Sequence, residues 1–147
     1  MLGAIAGDII GSVYEQYPVK KKEFPLFQPR CCFTDDTVLT IGIAKAILED
    51  RKYVKAVWET GRKYPDAGYG GTFIRWFHSN EPEPYNSWGN GAAMRVSPVG
   101  FAFDTVDTLN KVSIKFLPHQ TIFADIVVHT VTRICRQNPT ISQHLPL

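Results

Sequence analysis

The sequence predicts an all-α domain, on three observations. Apolar residues recur at intervals of three and four through most of the first hundred positions. The alternation of short apolar runs with helices that marks a βαβ protein is absent. The chain has 147 residues, 44% of them apolar and 20% charged, the length and composition of one ordinary globular domain, which buries roughly 68–70% of its unfolded surface.

The first element is a helix over 2–15, "LGAIAGDIIGSVYE". Glycines at 3, 7 and 11 share one of its faces, so another backbone can approach closely there. Asp8, Ser12 and Glu15 form a polar stripe, and Ile5, Ile9, Ile10 and Val13 supply the apolar part. The stripe is either a solvated face or a set of buried carboxylates. Residues 16–32, with Pro18, Pro25, Pro29 and the run Lys20-Lys21-Lys22, read as a loop, and a loop of that length is often functional.

Residues 36–50 and 51–63 both favour helix and are expected to form an antiparallel pair. "YPDAGYGG" (64–71) is a glycine-rich connection, "TFIRWFHS" (72–79) a short amphipathic helix, and "NEPEPYNSWGNG" (80–91) a second loop. "AAMRVSPVGFAF" resumes an apolar helix interrupted at Pro98. After Phe103 valine, isoleucine and threonine dominate, and either a β-branched helix or short strands would fit. No internal repeat or low-complexity segment is evident.

Several function classes recede. A net charge of +2 is too small to argue for nucleic acid, and the lysine run reads as a solvated face. The apolar N-terminus carries Asp8 and Glu15 and lacks a basic n-region, so neither a signal peptide nor a membrane span is expected. Cys31, Cys32 and Cys135 are odd in number and lack metal-ligand spacing, which points to a reducing, cytoplasmic setting. His78, His119, His129 and His144 are scattered, and no GxSxG elbow or P-loop appears.

Two stretches carry chemistry. "TDDT" (34–37) offers four oxygen-bearing side chains in a row at a helix start. With Thr34 or Asp35 as N-cap, helix capping accounts for one aspartate. It accounts less well for the second, because neighbouring carboxylates repel unless a cation or water screens them. Hard divalent cations want such oxygens. "SWGNGAAMR" (87–95) flanks Asn90 with glycines ahead of a helix, which suits a phosphate or ribose as well as a plain glycine turn. Trp88 beside it is either core or a surface on which a base could stack.

Three segments, "GAIAGDIIGSVYE" (3–15), "FTDDTVLT" (33–40) and "SWGNGAAMRVSPVG" (87–100), resemble in order and approximate spacing the ADP-ribosylglycohydrolase family. The resemblance covers about the first 105 residues and implies a compact, all-helical bundle. It also implies a two-metal centre, magnesium or manganese, that holds ADP-ribose while its N- or O-glycosidic bond to a protein side chain or small molecule is hydrolysed. By position, Thr34, Asp35 and Asp36 are the expected metal ligands, Glu15 and Asp36 the expected catalytic carboxylates, and Ser87, Trp88, Gly89, Asn90 and Gly91 the expected ADP-ribose loop. Met94 and Arg95 belong to the same motif, with Met94 expected to pack.

Beyond residue 105 the resemblance gives way, so residues 106–147 are expected to be a divergent segment of the same domain. The family's second metal motif, Asp-x-Asp-Thr, is not present; "DTVDT" (104–108) has the wrong spacing, and Asp104 and Asp107 read as helix-start and surface residues. Its "HNHP"-like segment is replaced by "LPHQTIFAD". Two dications about 3.5–4 Å apart repel by roughly 18 kcal/mol at an effective dielectric of about 20. Glu15, Asp35 and Asp36 alone are therefore expected to hold at most one ion, with hydrolase activity impaired. A truncated or frameshifted reading, a degenerate paralogue, or a second chain completing the site would each explain the tail. The alternative to an enzyme is a non-catalytic helical module that binds ADP-ribose or a nucleotide.

Overall fold

The computed structural model describes residues 1–50, 52–80 and 90–103. Among these there are six α-helices and no strand: α1 (Leu2–Gly11), α2 (Asp35–Leu48), α3 (Tyr53–Lys63), α4 (Gly71–His78), α5 (Gly91–Met94) and α6 (Ser97–Ala102). A 3-10 turn, Ser12–Tyr14, extends α1. The all-α expectation holds.

Helix α2 is the hub. It packs on α3, on α6 and α5, and on α1. Its Val38, Leu39, Ile43 and Ala46 are buried, a spacing that covers a broad face of the helix, while Ile41 and Lys45 point outward. Tyr53 and Val57 of α3, Ala67 and Tyr69 of the α3–α4 connection, Phe77 of α4, and Val96 and Val99 at α6 complete the core. The link between Leu48 and Tyr53 is short, and the first residue of α2 lies against Ala67, just beyond the end of α3, so the two helices run antiparallel as expected.

The glycines behave differently from the sequence expectation. A Cβ added at Gly3, Gly7 or Gly11 meets nothing within 4 Å, so no backbone approaches α1 along that stripe among the described residues. No residue of α1 is buried. The close approaches fall elsewhere. A Cβ at Gly42 would lie 3.1 Å from Thr60 Oγ1 and 3.4 Å from the Ala56 carbonyl, and one at Gly61 would lie 3.2 Å from Phe73. Gly42 thus lets α3 close on α2, and Gly61 admits the aromatic rings of α4.

Proline placement divides the last apolar stretch. The sequence reading of one helix interrupted at Pro98 becomes two short helices, with Pro98 in the first turn of α6, where its missing N–H costs nothing. Residues 104–147, with their expected divergent segment, Asp104, Asp107, Cys135 and three of the four histidines, lie outside the described residues. His78 is exposed on α4 with its ring 4.6 Å from that of Phe77. Cys31 and Cys32 are free thiols, and no helix among the described residues is long and apolar enough to cross a membrane.

Candidate functional site

The N-terminus of α2 needs partners for four backbone N–H groups. Asp35 N–H donates to the Ala67 carbonyl at 2.7 Å, and Val38 N–H to the Thr34 carbonyl at 3.2 Å. Asp36 N–H donates to Thr34 Oγ1 at 3.4 Å, so Thr34 is the N-cap. Thr37 N–H donates to Asp8 Oδ2 at 3.2 Å. Asp8 also accepts the Thr34 N–H at 2.8 Å and the Thr34 hydroxyl on its other oxygen. A carboxylate from α1 therefore caps α2 across the fold, favoured by the dipole at that helix end.

This changes the account of the paired aspartates. Capping was expected to use one of them; it uses the side chain of neither. Thr34 and Asp8 do that work, and the carboxylates of Asp35 and Asp36 accept no hydrogen bond from any other described residue. Both are half-buried, and both are pushed from 3.8 to about 6. For Asp35 burial is the largest cause, eased by its own backbone amide, with Glu15 and Asp8 raising it and Arg95 lowering it. For Asp36 burial again leads, followed by Asp35, Asp8 and Glu15.

The polar stripe of the first helix does face this segment. Asp8 is bonded to it directly, Ser12 Oγ accepts the Cys32 N–H at 3.1 Å, and the exposed Glu15 acts on both aspartates through its charge. The stripe is thus neither fully solvated nor fully buried. Two further hydroxyls next to the pair, Thr37 Oγ1 and Tyr69 OH, are buried without a hydrogen-bond partner among the described residues.

Of the second expected cluster, Ser87, Trp88 and Gly89 lie outside the described residues. Asn90 is exposed at the N-terminus of α5 and caps it through its backbone carbonyl, which accepts from Ala93 at 2.8 Å, not through its side chain. Gly91 opens the helix, which is a single turn, so the favourable dipole expected there is small. Met94 is half-buried, and Arg95 brings a positive charge towards Asp35.

Asp35 and Asp36 are hard-oxygen donors with no other hydrogen-bonding duty, and magnesium is commonly held by one or two carboxylates with water filling the remaining positions. The donors present fit one such cation in kind. Among the described residues no three His, Cys, Asp or Glu side chains gather into a fuller ligand set.

The sequence model of the ADP-ribosylglycohydrolase family matches residues 1–117. The chain belongs to the ADP-ribosylglycohydrolase family. The match continues past residue 105 and takes in every segment of the acidic cluster. Among curated proteins the chain is 26% identical over 136 residues to ADP-ribosylhydrolase ARH3 of Xenopus tropicalis, covering 72% of this chain and 39% of that protein. It is 27% identical over 146 residues to ADP-ribosylhydrolase ARH3 of Bos taurus, covering 76% and 40%. The chain thus spans about two fifths of the length of these relatives.

Reasoning from sequence placed the aspartate pair and the polar stripe but missed Asp8 as a cap and Tyr69 as a neighbour of Asp35. The aspartate's four-residue offset from Ser12 was visible; its partner 26 positions away was not.

Proposed function

We propose that this chain carries the acidic half of a divalent-metal-dependent hydrolase that cleaves the glycosidic bond of ADP-ribosylated proteins or small ADP-ribose derivatives. The observation that carries the reading is that Asp35 and Asp36 sit in the first turn of a helix that Thr34 and Asp8 cap, which leaves their own carboxylates free of that duty. In this reading they bind one magnesium or manganese ion. The cation would polarise a ribose hydroxyl and a water molecule.

The chain's own residues do the rest. Asp8 accepts the hydrogen bond of the Thr34 hydroxyl, so the Thr34 oxygen keeps its lone pairs for the Asp36 N–H and for a cation beside the two carboxylates. Glu15 is exposed beside the pair and can take the proton from an attacking water, with Asp36 holding that water in line. Asn90 and Gly91, with residues 87–89, would receive the ADP-ribose. The names of the relatives and the family match support this substrate class.

Release of ADP-ribose from arginine- and serine-modified peptides, with added magnesium or manganese, tests the reading. Turnover that Asp35→Ala and Glu15→Gln each abolish supports it. Binding of ADP-ribose without turnover supports instead a non-catalytic module, and neither binding nor turnover overturns both.

A further inference from the structure

Tyr69 sits in the turn between α3 and α4, two residues beyond the carbonyl that holds Asp35. Ala67 accepts the Asp35 N–H at 2.7 Å, and its own N–H donates to the Tyr64 carbonyl at 3.3 Å, which ties the turn to the start of α2 and to the end of α3. Gly68, at φ +92°, occupies a conformation that other residues rarely adopt, and it redirects the chain so that Tyr69 turns inward.

The ring is immobilised. It stacks on Phe73 with centroids 5.0 Å apart and 21° between planes, and meets Phe77 edge-on at 5.2 Å. Only 6% of the residue is exposed. Its two aromatic partners on α4 are phenylalanines, so packing alone asks for a ring and not for a phenol. The hydroxyl is nonetheless there, buried and without a hydrogen-bond partner among the described residues. A buried, unpaired hydroxyl is unfavourable unless another state of the protein uses it.

The group near it is Asp35. Burial and then the charge of Asp35 push the phenol up to about 12, so it stays a donor throughout the ordinary pH range. The other charged groups that act on Asp35 are Glu15, just past the 3-10 turn that extends α1, Asp8 of α1, and Arg95 from the segment between α5 and α6. Arg95 favours the ionised carboxylate of Asp35, and Glu15 and Asp8 disfavour it.

We propose that Tyr69 is a positioning residue for Asp35: its ring is locked by the α4 phenylalanines so that, once a divalent cation binds, its unpartnered hydroxyl donates to the Asp35 carboxylate and holds it towards the ion. The inference rests on the reading of Asp35 as a cation ligand. One carboxylate oxygen then takes the tyrosine hydrogen bond while the other faces the ion. No bond is made or broken; the hydroxyl lowers the freedom that Asp35 must lose on binding.

Calorimetric titration of the full chain with manganese, alongside thermal melting of the metal-free protein, tests this. Tyr69→Phe keeps the stack and removes only the hydroxyl; it is expected to weaken manganese binding about five- to tenfold, the loss of one hydrogen bond, while the metal-free melting temperature stays level or rises. Phe73→Leu disturbs the same stack and is expected to lower the melting temperature without weakening manganese binding comparably. Wild-type affinity in Tyr69→Phe, or equal weakening in both variants, overturns the positioning role. If the wild type binds manganese and Asp35→Asn binds it equally well, or if the wild type does not bind it, the reading of Asp35 fails and this inference falls with it.

Discussion

The carboxylate of Asp8 accepts the backbone N–H of Thr34 at 2.8 Å across 26 positions of sequence. Through that contact, its bond to the Thr34 hydroxyl and its bond to Thr37, a residue of α1 sets the start of α2 and thereby the place of the aspartate pair.

Asp8→Ala removes a charged cap from the central helix and strands the Thr34 and Thr37 amides. The expected loss is about 2–3 kcal/mol of folding stability. Asp8→Asn, which keeps an acceptor and removes a like charge from the cluster, should lose less. Urea denaturation measures both; an Asp8→Ala protein within about 0.5 kcal/mol of wild type, the range of an ordinary surface change, would show that Asp8 is not the cap that matters.

Asp35 and Asp36 titrate near 6 in the folded chain against 3.8 ordinarily. The folded state binds protons more tightly over that interval, so these groups favour folding most at acid pH and lose that contribution as pH rises through about 6. Asp35→Asn should therefore raise the melting temperature of the metal-free protein at about pH 7 and leave it little changed near about pH 3.5. Equal shifts at both pH values would contradict the raised carboxyl.

A cation competes with those same protons. Each carboxylate titrating near 6 is about tenfold less ionised at about pH 5 than at about pH 7, so manganese affinity should fall by about that factor for each ligand it uses. Calorimetry at the two pH values reads the number of ligands directly. Affinity that does not change with pH would place the cation elsewhere.

The glycines give a contrast in sign. Gly7→Ala adds a Cβ into open space on α1 and should stabilise by up to about 1 kcal/mol through helix propensity. Gly42→Ala meets Thr60 Oγ1 at 3.1 Å and the Ala56 carbonyl at 3.4 Å, and crowding between α2 and α3 should outweigh the propensity gain, for a net loss of about 1–2 kcal/mol. Chemical denaturation of the two variants decides it; a stabilised Gly42→Ala would mean that α3 moves aside easily.

Helix α2 was legible because its apolar positions follow helical spacing and its start carries threonine and aspartate, both signals local to the chain. The limits of α1 were less so. Its sequence predicts a helix to residue 15, and the structure turns to 3-10 geometry at Ser12, whose hydroxyl bonds back to the Ile9 carbonyl and also receives Cys32. The glycine stripe of α1 carries the more visible pattern, yet the close packing is at the single glycines Gly42 and Gly61. Spacing along one helix says nothing about which neighbour comes near.

The sequence by itself determined the helical class, the antiparallel pair and the location of the paired carboxylates, because each depends on residue types at short, regular intervals, and it pointed to the family through its resemblance to three separated motifs in order. Only the tertiary structure decided what those carboxylates are free to do. Capping depends on which acceptor lies within about 3 Å of a helix end, and that acceptor came from Asp8 on another helix. The same packing brought the buried hydroxyl of Tyr69 beside Asp35, through a turn whose geometry the spacing of its residues could not express.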